Sequence, residues 1–274
     1  MRRMRIRAAI AIVSIATLAS IAVGVLQRAT DPPATLGGSG APRLPAAFVV
    51  RCDFTHRAPD DPIVAPGTVG GSHLHDFFGN FTVDTTSTTT SLLAGDADCN
   101  RRTDRSGYWV PTMLREGRAL IPIGSRVYYL AGAKLADTVQ PPPNGLKIVT
   151  GGTSNRDAVR WGCSGDEVRS VQMRACGDGF IELNLRFPDC WDGVNLDAPD
   201  HRSHLAFATS GRCPAGYPEP ITAVRFVVTY PVHGPGELSL SSGGLETAHG
   251  DLFVAWHPAT IARLVERCIN RRAC

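Results

Sequence analysis

The sequence contains no CxxC pair, no GxSxG, no GxGxxG and no phosphate-binding P-loop. Those absences remove the zinc ribbon, the dithiol redox motif, the serine-nucleophile elbow and the common nucleotide sites. Long basic runs are missing as well. Beyond the pairs Arg101-Arg102 and Arg271-Arg272 there is no clustered positive charge of the kind a nucleic-acid footprint needs, so no nucleic-acid partner is expected. The formal charge of +3 does not contradict this, because Arg2, Arg3, Arg5 and Arg7 supply four of the 28 basic residues. The rest of the chain sets 24 basic against 25 acidic residues, a balance of about −1. Helical periodicity is scarce, and long apolar runs are confined to the N-terminus.

That N-terminal run sets the compartment. Four arginines in residues 1–7 precede an uncharged apolar stretch at 8–26, the pattern of a secretory signal or of an uncleaved membrane anchor. Either form exports the remainder of the chain, so the expected location is secreted or on the outer face of the cytoplasmic membrane, with no membrane contact elsewhere. Residues 27–46 are rich in Pro, Gly, Ser and Thr and read as a linker. Residues 47–274, roughly 230 in all, suffice for one large domain.

All eight cysteines (Cys52, Cys99, Cys163, Cys176, Cys190, Cys213, Cys268 and Cys274) lie beyond the leader, and an even count in an exported chain reads as disulfides. Pairing of sequence neighbours is expected: Cys52–Cys99, Cys163–Cys176, Cys190–Cys213 and Cys268–Cys274.

The periodicity of the domain is two. Residues 118–132, 141–152, 181–187 and 222–232 read as strands and turns, the last apolar enough for burial on both faces. Residues 81–95 are β-branched and polar, which suits an exposed strand and loop rather than a helix. YWVPTML carries Pro111, which suggests an edge strand or bulge, and Trp109 belongs to the core. Only 258–268 has a helical stripe, with Pro258 near its start and Ile261, Leu264, Val265 and Cys268 on one face. Short strands with 28 glycines and 20 prolines predict a mainly β sandwich or jelly roll with long disulfide-pinned loops and one C-terminal helix.

Three blocks concentrate chemistry. In GGSHLHDFFGN, His73 and His75 stand two apart, so a strand projects both from one face, while Asp76 points the other way. CWDGVNLDAPDHRSHLAF places Trp191, Asp192, Asn195, Asp200, His201, Arg202 and His204 in one disulfide-pinned loop, whose aspartates could equally cap turns. GGLETAHGDLFVAW brings His249 and Asp251 to the mouth of an apolar strand. If the blocks converge, His73, His75, His204, His249 and Asp251 are the candidate ligands of a divalent metal, zinc or manganese. Asp76, Asp200 and His201 are the candidate acid and base groups. Trp191, Asp192, Asn195 and Arg202 would face substrate.

Two resemblances bear on this. Gly67, five residues, then His73-Leu74-His75 looks like the beginning of the first cupin motif, with His249 as the lone later histidine. The glutamate that motif places after the pair is absent here, with Gly79 and Asn80 in its neighbourhood. Together, DPIVAPGTVGGSHLHDFFGN, YWVPTML, CWDGVNLDAPDHRSHLAF and HGDLFVAW resemble the family numbered 1996 among domains of unknown function, over roughly residues 48–270. The resemblance implies an extracellular or wall-associated domain of the kind found in actinobacteria and fungi, and it implies no catalytic residues. The expected function is hydrolysis of cell-wall or environmental polysaccharide, metal-assisted or by acid and base groups. The rival readings are a noncatalytic glycan-binding module and a metal-binding protein.

Overall fold

A computed structural model describes residues 46–132 and 139–274. The expected leader at 1–26 and the expected linker, apart from its last residue, lie outside the described residues.

Two antiparallel sheets carry the fold. The larger has six strands in the spatial order Ala47–Cys52, Gly124–Leu130, Ala223–Tyr230, Ile181–Arg186, Val159–Cys163 and Arg169–Ser170. The smaller has five, in the order Phe54–Ala58, His75–Gly79, Gly107–Pro111, His249–Phe253 and Lys147–Gly151. Phe78 and Tyr108 of the smaller sheet each meet Phe226 of the larger with ring centroids 5.5 Å apart. The faces are thus packed as a sandwich, as the strand rhythm predicts. Gly250 permits this approach, because a Cβ there would collide with Leu185 of the opposing sheet. The Ala223–Tyr230 strand lies inside the larger sheet with one face fully buried (Val224, Phe226, Val228 and Tyr230). On the other face only Val227 is buried and Ala223, Arg225 and Thr229 are half-buried, short of the two-faced burial its apolar run suggests.

Strand alternation sorts the smaller sheet into two environments. Phe78, Tyr108, Val110 and Leu252 face inward and join the main core. Phe77, Trp109, Val149 and Phe253 face outward, where Ile63, Val83 and Leu92 from the 59–95 excursion cover them as a second apolar cluster. Each large aromatic ring buried there removes roughly 200 Å² from water, at most about 5 kcal/mol. The excursion is therefore held by real burial although much of it is loop.

Two local expectations are corrected. Residues 81–95 include an α-helix at Thr89–Ala94, closed by a reciprocal Thr88–Ser91 capping box and anchored by buried Leu92. Capping and one apolar anchor outweigh the poor helix propensity of its threonines. The Pro111 strand is central, not an edge. Proline is tolerated because it is the strand's last residue, and the ladder to His249–Phe253 pairs only Gly107, Tyr108 and Trp109.

All four neighbour pairings of cysteine are present: Cys52–Cys99, Cys163–Cys176, Cys190–Cys213 and Cys268–Cys274. The C-terminal helix begins at Pro258, runs to Leu264 and continues as a wider π-helical turn over Val265–Asn270, burying Ile261, Val265 and Cys268. Among the described residues no helix is long and apolar enough to cross a membrane.

Candidate metal centre

His75 opens the His75–Gly79 strand and His249 opens the His249–Phe253 strand, with one strand between them. Both imidazoles rise from the outer face, and His73 reaches the same place from the glycine-rich loop just before its strand. Ring centroids are 4.3 Å apart for His73 and His75, 5.1 Å for His73 and His249, and 5.7 Å for His75 and His249. One nitrogen from each ring lies within 4.8 Å of the other two, so the three could hold a metal ion. Gly151 permits the local geometry. Its φ is +78° and a Cβ there would stand 2.7 Å from the Ala248 carbonyl, directly behind His249.

Hydrogen bonds fix which nitrogen each ring presents. His75 Nδ1 lies 2.9 Å from the carbonyl oxygen of Asp60, and His249 Nδ1 lies 2.8 Å from that of Thr247. A carbonyl can only accept, so both Nδ1 atoms carry the proton and both Nε2 atoms expose a lone pair. The two Nε2 atoms face each other at 3.5 Å. Neither ring is inclined to add a proton and bridge the gap. Burial lowers the pKa of both, helped at His75 by its histidine neighbours and at His249 by Arg202. For His73, burial first and His249 second bring the pKa down to about 4, and its Nε2 is buried without a partner. Two imidazole nitrogens bound tetrahedrally to one zinc at about 2.05 Å would be about 3.3 Å apart. The observed spacing is that of ligands around a cation, and the Nδ1–H bonds to carbonyls are the usual outer support of metal-binding histidines.

Asp251 adds the strongest signal. It is fully buried two residues beyond His249 on the same face, and neither carboxyl oxygen has a hydrogen-bond partner among the described residues. Burial, and then the nearby Asp61 charge, raise its pKa well above the ordinary carboxylate range. A buried carboxylate without a partner is costly, by several kcal/mol in typical proteins. Asp61, His75 and Asp251 form a second group whose ligand atoms lie within 4.8 Å of one another, with His75 shared between the two groups. Asp61 Oδ1 accepts from the Ile63 and Val64 amides at 2.9 Å, which leaves Oδ2 for the cluster. Burial raises its pKa as well.

The loop between Cys190 and Cys213 is laid along the edge strand Lys147–Gly151. The Lys147 amide donates to the Leu196 carbonyl, Lys147 Nζ is 3.3 Å from Asp197, His204 Nε2 donates to the Lys147 carbonyl, and Arg202 Nη1 donates to the Val149 carbonyl. His201 Nδ1 lies 2.9 Å from Asp197 Oδ1. Arg202, bound to the strand neighbour of Asp251, flanks the cluster.

Other candidate residues stand apart from it. His204 belongs to neither metal group. Asp76 faces the opposite side of its strand, bound to Arg57 at 2.6 Å and to Thr112 at 2.9 Å. Exposed Asp200 accepts the Arg202 and Ser203 amides, which hold its pKa down to about 2. Trp191 Nε1 donates to the Asn195 carbonyl, and Asp192 accepts the Val194 and Asn195 amides and the Asn195 side chain, so these three spend their polar groups on one another.

Asp61 was not among the residues the sequence singled out. Its signal is an acidic residue directly before Pro62, at the head of the glycine-rich block, where an aspartate that caps a turn is fixed in place.

Fold and site together define a disulfide-stapled β-sandwich with a buried His/Asp cluster able to hold a metal. The chain belongs to the family described as a domain of unknown function, DUF1996, whose model matches residues 61–256. That span takes in His73, His75, His249, Asp61 and Asp251. No curated protein and no solved structure matches the chain.

Proposed function

We propose that this domain holds one divalent metal between His73, His75, His249 and Asp251 and uses it, outside the cytoplasm, to hydrolyse cell-wall or environmental polysaccharide. The observation that carries the metal is the pair of Nε2 lone pairs facing each other at 3.5 Å beside a fully buried carboxyl with no partner. Three imidazoles and a carboxylate suit zinc first and manganese next. When bound, the cation would supply a Lewis acid that polarises a substrate oxygen or acidifies water.

The chain's own groups complete the reading. His73 and His249 are only partly buried while His75 and Asp251 are fully so, which leaves one side of the cluster open to a substrate. Asp61, whose pKa burial raises and whose Oδ2 is free, is placed as the proton acceptor of the cluster. His201 is held by Asp197 in the loop that crosses the edge strand next to the cluster. Asp76 and Asp200 have no part in this chemistry: Asp76 faces the other side of its strand, where Oδ1 binds Arg57 and Thr112, and Asp200 is tied to the turn at 200–203. The four disulfides support an oxidising, extracellular setting.

Elemental analysis of the purified chain, alone and as His73→Ala/His249→Ala, tests the metal. About one equivalent of zinc or manganese in the parent and none in the variant is expected; a parent free of stoichiometric metal after incubation with either ion overturns the reading. Release of reducing ends from wall polysaccharide tests the hydrolysis. It should vanish in His75→Ala and in chelator-treated parent, and a metal-loaded parent that releases none would leave metal capture as the function.

A further inference from the structure

We infer that Arg202 is a substrate-reading group that pairs with an oxyanion (a carboxylate, sulfate or phosphate ester) carried by the substrate beside the metal. The inference rests on the metal reading above and names the substrate class for that site: an acidic saccharide rather than a neutral one.

The placement comes from the ladder of the smaller sheet. Val149 pairs with Asp251 and Gly151 pairs with His249. Arg202 Nη1 donates to the Val149 carbonyl at 3.3 Å, and Nη2 lies 4.0 Å from where a Cβ on Gly152 would be. The guanidinium therefore lies over the edge strand at the level of the two ligands.

Charge then decides what it is for. A guanidinium has five N–H donors, and only one is engaged by the described residues. No carboxylate forms an ion pair with it among the described residues, although the loop offers Asp192, Asp197 and Asp200. Asp192 and Asp200 bind backbone amides, and Asp197 is shared by Lys147 and His201. A divalent metal balanced by Asp61 and Asp251 leaves the ligand set neutral, and Arg202 adds beside it a positive charge that no carboxylate pairs among the described residues. One singly charged oxyanion restores balance and fits the planar fork of an arginine better than a neutral hydroxyl does.

The arm that carries Arg202 is stiff, which favours recognition over a casual surface charge. Cys190–Cys213 closes the loop and Asp200 caps the Arg202 amide at 3.0 Å. His201, just before it, has a φ of +57°, a conformation uncommon for a side-chain-bearing residue and held here by Asp197. Arg202 itself is half-buried, so it remains reachable from the open side of the cluster.

The test titrates the full chain, loaded with Co(II), with phosphate, sulfate and galacturonate, using galactose as the neutral control and the visible cobalt bands as readout. At least one of the three anions should give a saturable spectral change that galactose does not. Arg202→Gln should keep stoichiometric cobalt but raise the apparent Kd for that anion about tenfold or more, and Arg202→Lys should fall between. Near-UV circular dichroism confirms that both variants are folded. Equal anion affinity in parent and Arg202→Gln overturns the inference, as does a cobalt-loaded parent that responds to none of the anions. Failure of the parent to take up cobalt overturns the metal reading and this inference with it. The anion that binds most tightly identifies which oxyanion the site reads.

Discussion

Asp76 and Asp251 are both fully buried carboxyls on the same five-stranded sheet; Asp76 is answered at one oxygen and Asp251 at neither. Asp76 faces the interior of the sandwich and accepts from Arg57 Nε and Thr112 Oγ1, while Arg57 also donates to the Leu120 carbonyl at 2.5 Å. Asp251 faces outward beside three histidines and accepts from nothing among the described residues. Burial raises the pKa of both. The contrast separates a carboxylate kept for structure from one kept for a ligand. A fold with a spare Arg57 on one face of a sheet could neutralise an aspartate on the other by the same means, and at Asp251 it sets histidines with exposed lone pairs instead.

The largest expected effect is on metal uptake. His75 belongs to both ligand groups, so His75→Ala should weaken metal binding by about a thousandfold or more, beyond the 10- to 100-fold typical of losing an outer support. Competition with a chromogenic chelator measures this. Asp76→Ala, one residue along, should leave metal affinity within about twofold. Equal losses from the two neighbours would erase the distinction between the faces.

Stability should reverse the ranking. Asp76→Ala strands Arg57 half-buried without its carboxylate, and we expect a loss of about 2–3 kcal/mol in urea unfolding, reduced because the Arg57 side chain is 21% exposed. In metal-free protein, Asp251→Asn should stabilise by about 1–2 kcal/mol, since it removes a buried acid that nothing pairs. The pH dependence fixes the sign. A carboxyl whose folded pKa is raised contributes stability below its unfolded value near 4, and loses it as pH climbs toward the folded pKa. The advantage of Asp251→Asn over the parent should therefore grow from pH 5 to pH 8 without metal, and turn into a deficit when metal is added. The histidines act oppositely. Their lowered pKa values, about 4 for His73, mean that the metal-free fold loses stability as pH falls below about 6.5. In the Asp251→Asn background, where the opposing acid is removed, a stability that does not fall from pH 7.5 to 5 more than it does in Asp251→Asn/His73→Ala/His249→Ala would contradict the burial of these rings.

Much of this was legible in the sequence because it depends on alternation and neighbours. A spacing of two put His249 and Asp251 on one face, and the same rule turned Asp76 away from His75; His73 joins them although it lies in the loop before the His75–Gly79 strand rather than on it. Cysteine pairing tracked chain order because each bridge closes a local excursion. Other features depended on tertiary partners. Nothing in HRSH shows that His204 spends its Nε2 on the Lys147 carbonyl while Arg202 reaches Val149. Asp61 was hidden for a different reason: its role comes from a turn that folds it back onto His75, 14 positions further along the chain. The helix at Thr89–Ala94 was hidden by composition, since the threonine run outweighs a capping box until Leu92 has a cluster to enter.

That helix gives the smallest and most discriminating test. Thr88 accepts from the Ser91 amide at 3.1 Å, and Ser91 Oγ accepts from the Thr88 amide at 2.9 Å, an exposed cap whose residues belong to neither ligand group. Thr88→Ala removes one half of it and should cost about 0.5–1 kcal/mol. The helix places Leu92 against Phe77 and Trp109, the same outward cluster that backs the metal centre. If the centre is a preorganised ligand cage, its geometry comes from the strands beneath, and metal affinity should not track this small loss of stability. If metal affinity falls in step with Thr88→Ala, the cage is held by its cover rather than its floor. Asp251 would then be answered by a closure of the 59–95 excursion and not by a fixed set of histidines.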